Sequence, residues 1–244
     1  MARVLFPLPD HDFDVTEVSV PWKLISEAGH EVIFATENGA TPAADPLLLK
    51  GGMLGARPEP LSFYRQLETA ASFRSPIRWS DISVDRFDAL FLAGGHAPGM
   101  RQYLGNELLQ SKVAEIFAAK KPTGAICHGV IVLARANEPS SGRSSLYERK
   151  TTCLPKYMER TAYFSTFWYL GRYYRTYPEY VEDEVISRLA RPSDFERGPL
   201  HLMSRGTRDD DREAFVVEDN NYVSARWPGD AYLIAKKMIA RLAG

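Results

Sequence analysis

The sequence predicts an α/β protein: a three-layer, doubly wound, mostly parallel sheet carrying helical cap insertions. Three observations predict it. Short apolar runs of strand length alternate with stretches of helical periodicity. The first strand, helix and strand are joined by short connections, as a right-handed βαβ unit requires. The residues with chemical potential, Glu17, Gly94-Gly95-His96 and Cys127-His128, each follow a predicted strand. Those carboxyl ends are where an open parallel sheet gathers its functional groups.

Taken in order, Arg3–Leu8 ("RVLFPL") reads as a buried strand, Val15–Ala28 as a helix stopped by Gly29, and "HEVIFATE" (30–37) as a second strand. Pro21 falls within the helical stretch, which it tolerates where a helix starts or bends. Residues 38–80 hold several Pro and Gly and no clear strand, although "LSFYRQLETAASF" is helical in pattern. Their length predicts a partly helical cap over one sheet edge. "FDALFLAGG" (87–95) is the next strand and "NELLQSKVAEIFAAKK" (106–121) a helix with apolar positions at helical spacing. "PTGAI" (122–126) is a further strand, running through Cys127-His128 into the helix "GVIVLARA" (129–136). "KTTCLP" (150–155) reads as one more strand, and a second cap insertion falls near 156–210. "AFVVEDNNYVSA" (214–225) is a hairpin turning at Asp219–Asn221, and "DAYLIAKKMIARL" (230–242) a closing helix. With no internal repeat and no low-complexity linker, a single domain over 1–244 is expected.

Composition narrows the function. The chain has 244 residues, 45% hydrophobic and 25% charged, the balance of an ordinary globular protein. A net charge of −1 argues against nucleic acid or an anionic membrane as partner. No apolar run is long enough to span a bilayer. The N-terminal "MARVLFPLPDHDFD" is too short in apolar residues for a secretory signal. Two cysteines make no disulfide framework, so a cytoplasmic, reducing location is expected. The segment 157–180 carries ten aromatics in 24 residues, suited to core or subunit-interface packing, and a homo-oligomer, a dimer first, is expected. "DDDRE" (209–213) reads as a solvated acidic loop.

The arrangement strand–Cys127–His128–Gly129–helix is a nucleophile elbow in outline. A sharp turn lifts the side chain out of the sheet towards a helix N-terminus, which stabilises a thiolate. The backbone amides of Gly95 and His128 are candidate oxyanion donors, each worth about 2.7–4 kcal/mol in a transition state. The plainer readings are a buried core thiol for Cys127 and a dipole-complementing first-turn residue for Glu17. His11, His96 and His128 lack metal-ligand spacing, and no metal is expected.

Glu17 with Pro21 four residues on, "FLAGGHAPGM", "GAICHG" and "VSARWPGDAYLIAKKMIARL" together resemble the ThiJ/PfpI superfamily, nearest its heat-shock chaperone/glyoxalase branch. The resemblance implies the flavodoxin-like, class I glutamine amidotransferase-like fold. It implies Cys127 as nucleophile, Glu17 as a carboxyl on its sulfur, and His128 as general base. It implies a cysteine-dependent enzyme acting on a small carbonyl or amide-type substrate, glyoxalase/deglycase-like or amidohydrolase-like, without a cofactor. A stress-response chaperone or cysteine redox sensor is the alternative. Where the chaperone branch carries an acid just beyond "KTTC", this chain has Lys156, and Glu159 is the displaced substitute. Cys153, at the end of another predicted strand, is a candidate resolving thiol for Cys127.

Overall fold

The apolar run that opens the chain becomes the middle of the main sheet. In the computed structural model, which describes residues 1–51, 55–175, 177–200 and 204–243, the strands are β1 (Arg3–Pro7), β2 (His11–Phe13), β3 (Glu31–Thr36), β4 (Ala43–Ala44), β5 (Ile77–Arg78), β6 (Ala89–Leu92), β7 (Thr123–Ile126), β8 (Val216–Asp219) and β9 (Tyr222–Ala225). Seven of them form one sheet in the order β5-β3-β1-β6-β7-β9-β8. Every pairing in it is parallel except β8 with β9. β2 and β4 make a small parallel pair of their own.

The helices are α1 (Val15–Glu27), α2 (Pro46–Leu49), α3 (Pro58–Leu67), α4 (Ala71–Arg74), α5 (Met100–Gly105), α6 (Glu107–Ala118), α7 (Gly129–Arg135), α8 (Lys156–Leu170), α9 (Val181–Ser187) and α10 (Ala231–Leu242). α1 packs against α3 and α10 on one face of the sheet, while α7 packs against α5, α6 and α9 on the other. The result is the predicted three-layer, doubly wound arrangement. β1, β6 and β7 are buried almost throughout because helices cover both faces, so these strands read as continuous apolar runs.

Local chemistry sets the ends of α1. The Asp14 carboxylate accepts the N–H groups of Thr16 (2.7 Å) and Glu17 (3.0 Å), and Gly29 follows in the left-handed region at φ 83°. Pro21 sits inside this helix, so the Glu17 carbonyl lacks its usual partner four residues on. The hairpin turns where expected, with Asn220 at φ 52°.

Two expectations are corrected. Residues 150–155 do not form a strand: Thr151 makes one isolated bridge to Phe195, and the Thr152 N–H donates to the Ser224 hydroxyl at 2.9 Å. Both edges of β9 are already taken, by β7 and β8, so no ladder is open to this segment. Conversely, 38–80 holds strands as well as helices. β5 forms an edge of the main sheet, and at two residues it is too short to leave an alternating pattern. Among the described residues, no helix is long and apolar enough to cross a membrane.

Gly129 lets α7 start hard against β6. A Cβ there would lie 2.2 Å from the Leu92 carbonyl oxygen and 2.7 Å from that of Ala93. Gly129→Ala should therefore destabilise by about 1–3 kcal/mol or more, since backbone must move to admit the methyl. Urea denaturation of variant and parent would read this as a lower midpoint at an unchanged slope.

Candidate active site

Cys127 leaves the end of β7 in the left-handed region, at φ 56°. Its N–H donates to the Ala225 carbonyl of β9 (3.0 Å), which holds the turn to the sheet. A non-glycine residue at positive φ stores of order 1–3 kcal/mol of strain. The turn aims the sulfur at α1 and sets it 3.4 Å from His128 Nδ1.

Gly94 is the point where the three predicted features meet. Its N–H donates to Glu17 Oε2 at 2.8 Å, and its carbonyl accepts the Asp14 N–H at 2.9 Å. A Cβ on Gly94 would lie 2.7 Å from the His128 nitrogen, 2.8 Å from Glu17 Oε2 and 3.0 Å from Cys127 Cβ. Only a bare α-carbon fits between them. Gly95 is equally confined, with the Asp12 carbonyl oxygen 2.7 Å and Met100 Sδ 2.9 Å from a Cβ there. Cys127, His128 and Glu17 are all buried.

Burial dominates the electrostatics. It pushes the Glu17 carboxyl well above the usual carboxylate range, with the Asp14 charge adding to the effect; the Gly94 N–H and the Cys127 thiol oppose it. The Cys127 thiol is pushed up by burial, then by Glu17 and Asp14, with partial relief from the His128 amide. The helix N-terminus thus fails to yield a resting thiolate, because two nearby carboxyls and a dry setting outweigh it. Asp14 is raised to about 6, chiefly by burial. The Glu17 Oε1 atom is buried with no hydrogen-bond partner.

His128 is held neutral. Burial lowers it well below the ordinary imidazole value, and His96, Arg135 and Arg175 add to this. The His96 ring meets it edge-on at 4.6 Å between centroids and is itself lowered to about 4 by burial. Tyr174 packs edge-on against His96 at 5.7 Å. Glu159 lies elsewhere in the network: Oε1 pairs with Arg175 Nη1 at 3.2 Å and Oε2 accepts the Val181 N–H at 3.0 Å. Burial raises it to about 7. Arg175, not a carboxylate, is what Glu159 contributes to the surroundings of His128. Both cysteines are free thiols. Cys153 is fully buried, with its sulfur 3.7 Å from the Leu154 carbonyl, and is pushed up by burial and by Glu182, Glu159 and Glu184.

Asp14 is a member of this site that the sequence reading misses. Its signal is present, an acidic N-cap three residues before Glu17 at the start of a helix. The Arg205 charge lowers the Asp14 carboxyl, and the position of Arg205 carries no sequence signal. Among the described residues, no group of three or more His, Cys, Asp or Glu is arranged to hold a metal ion.

Comparison with known proteins adds the following. Residues 8–199 match the family described as ThiJ/PfpI family-like. Two Schizosaccharomyces pombe proteins are similar in sequence: an uncharacterised one, 30% identical over 66% of this chain, and glutathione-independent glyoxalase hsp3102, 27% identical over 58%. The matches span 62% and 59% of those two proteins. Deglycase PfpI of Pyrococcus furiosus is 25% identical over 98% of this chain and 99% of its own. Glyoxalase III of Candida albicans has the same fold, with a TM-score of 0.73 and 18% identity over 98% of this chain and 97% of that one.

Two outcomes follow from the buried acids. Asp14 ionises less readily folded, at about 6, than its ordinary 3.8. Its contribution to stability is therefore full below the ordinary value and is lost as pH rises through about 6. Asp14→Asn keeps a capping oxygen and should raise Tm at pH 7.5 by about 2–4 °C, the size of a 1 kcal/mol gain in a chain of this length. The gain should vanish below pH 4, which calorimetric scans across pH would check. Separately, alkylation of Cys127 by iodoacetamide should be slow at pH 7 and climb without a plateau to pH 9, as for a thiol held protonated. Glu17→Gln should speed it severalfold at pH 8 by removing a group that raises the thiol, with peptide mass spectrometry as the readout.

Proposed function

The chain belongs to the ThiJ/PfpI family, and on that premise we propose that it is a cofactor-independent enzyme of glyoxalase or deglycase type with Cys127 as nucleophile. The observation that carries the reading is the Glu17 carboxyl packed on a thiol whose backbone is held in the left-handed region. The relatives named as glyoxalase and deglycase support the substrate class, a small reactive carbonyl compound.

With an α-oxoaldehyde, the Cys127 sulfur adds to the aldehyde carbon. The thiol proton passes through Glu17 to the former carbonyl oxygen, giving a hemithioacetal. The Gly95 and His128 amides bind the oxygen while it is negative. Glu17 then removes the proton from the thiol-bearing carbon and returns it to the neighbouring carbon, while the hydroxyl proton passes from the first oxygen to the second, which leaves a 2-hydroxy thioester. Water attacks the thioester carbonyl, sulfur departs and regains a proton, and a 2-hydroxy acid is released. The net change is addition of one water. Neutral His128, a weak base, helps to orient that water; Glu17 carries the proton transfers. A reducing, cytoplasmic location fits a mechanism that needs a free thiol.

A second reading rests on α8, which exposes Phe164 (54%), Trp168 (75%) and Tyr169 (57%). Such a face suits a chaperone surface or a homodimer contact.

Turnover of methylglyoxal to lactate by purified protein and its variants tests the first reading. Cys127→Ala should lose activity by at least about a thousandfold, and Glu17→Gln by about 10²–10⁴-fold, as for loss of a general acid–base group. Retention of activity by Cys127→Ala sinks the enzyme reading. Aggregation suppression that survives Cys127→Ala and falls in Trp168→Ser would favour the chaperone.

A further inference from the structure

Buried and half-buried guanidinium groups in this fold are generally matched with carboxylates. Arg226 and Asp230 pair at 2.9 Å with both side chains fully buried, Arg135 pairs with Glu184 at 2.6 Å, and Arg175 pairs with Glu159 at 3.2 Å. Arg205 is different. It is half-buried, yet among the described residues it donates no hydrogen bond and joins no ion pair, and its Nε is enclosed without a partner. Its guanidinium carbon lies 4.9 Å from the centre of the Trp227 ring, whose own Nε1 is likewise enclosed and unpartnered. A buried donor left unmade costs about 1–3 kcal/mol, so two side by side mark a place built for an acceptor.

The position of this pair relates it to the reaction. Trp227 lies two residues beyond β9, whose Ala225 carbonyl holds the Cys127 turn. The charges of Asp14 and Glu17 reach the Arg205 guanidinium, as does that of exposed Arg57. Glu17 Oε1, like Arg205 Nε, is enclosed without a hydrogen-bond partner. Arg205 is also held in place from behind: the Gly206 N–H donates to the Gly229 carbonyl at 2.8 Å, and a Cβ on Gly206 would lie 2.9 Å from that of Ala214. A rigid backbone and a stacked planar cation are how a site presents a fork to an anion.

We propose that Arg205, stacked on Trp227, is a specificity residue that holds an anionic group of the substrate. The substrate class is then a small α-oxoaldehyde whose far end bears a carboxylate or a phosphate. Its reacting carbonyl faces Cys127 and Glu17 while its charge rests on Arg205. This assignment rests on the cysteine-enzyme reading for what is turned over, but the anion site itself can be tested without turnover.

Glyoxylate and inorganic phosphate, as the two probes, would be titrated by calorimetry into the Cys127→Ala protein, which forms no covalent adduct. The same titrations would follow in that background with Arg205→Met and with Arg205→Lys, each checked for an unchanged circular-dichroism spectrum. At least one probe should bind saturably, and Arg205→Met should weaken it by about ten- to a hundredfold, the loss of a charged hydrogen bond. Arg205→Lys, which keeps the charge, should bind it more tightly than Arg205→Met. Which probe binds tells carboxylate from phosphate. Binding of neither, or equal affinity with and without Arg205, overturns the proposal. Loss of the enzyme reading would show instead as methylglyoxal turnover surviving Cys127→Ala, a separate result.

Discussion

The hydrogen bond from the Gly94 N–H to Glu17 Oε2 is the contact on which the site depends. It ties the first turn of α1 to the loop that leaves β6, and β6 lies between β1 and β7 in the sheet. The sheet order thus makes neighbours of residues 17, 94 and 127. Glycine at 94 is what lets them close up, because its α-carbon stands where any side chain would strike the His128 nitrogen, the Glu17 carboxyl or the Cys127 side chain. Asp14 completes the join by donating its own N–H to the Gly94 carbonyl while its carboxylate caps α1. The helix cap and the carboxyl on the sulfur are therefore parts of one piece of structure.

That closeness sets the proton inventory. Asp14, Glu17 and Cys127 are acids packed together away from water; burial raises all three, Asp14 adds to the rise of Glu17, and both carboxyls add to that of Cys127. The two histidines beside them are driven the other way and stay neutral. A thiolate–imidazolium pair is thus disfavoured at rest. In the proposed mechanism the Glu17–Cys127 pair keeps its proton until a carbonyl group arrives to take up the negative charge. Adding the sulfur to that carbonyl moves charge from a poor place, the buried sulfur, to an oxygen that backbone amides can hold. On that proposal reactivity arises on binding, and the raised resting thiol reacts slowly with oxidants and alkylating agents.

Much of this was legible in the sequence because it follows from periodicity and strand ends. The order of long elements, the hairpin and the convergence of Glu17, Gly94 and Cys127 at one edge need only alternating patterns and the rule for parallel sheets. What failed depended on tertiary context. "KTTCLP" has strand composition, but β9, to whose Ser224 it donates a hydrogen bond, is already paired on both edges by β7 and β8. β5 is two residues long and owes its place to its neighbours. The acid expected to orient His128 could be sought only by spacing, and Glu159 in the fold turns to Arg175 and Val181. Arg205 sits in a loop whose return to the active-site edge no local pattern announces.

The choice between core thiol and nucleophile for Cys127 is not decided by burial, since both readings predict a hidden sulfur. Backbone conformation favours the proposed nucleophile. A core thiol packs as well on an ordinary strand or helix, and nothing in packing alone favours a left-handed residue at an added strain of order 1–3 kcal/mol. A dry interior likewise gains nothing from setting a carboxyl against that sulfur with one oxygen unpartnered. Each feature is a cost to the fold, and the two costs fall on adjacent atoms. Such coincident costs support the proposed reaction: the strain fixes the sulfur's direction, and the Glu17 carboxyl is placed to exchange a proton with the thiol.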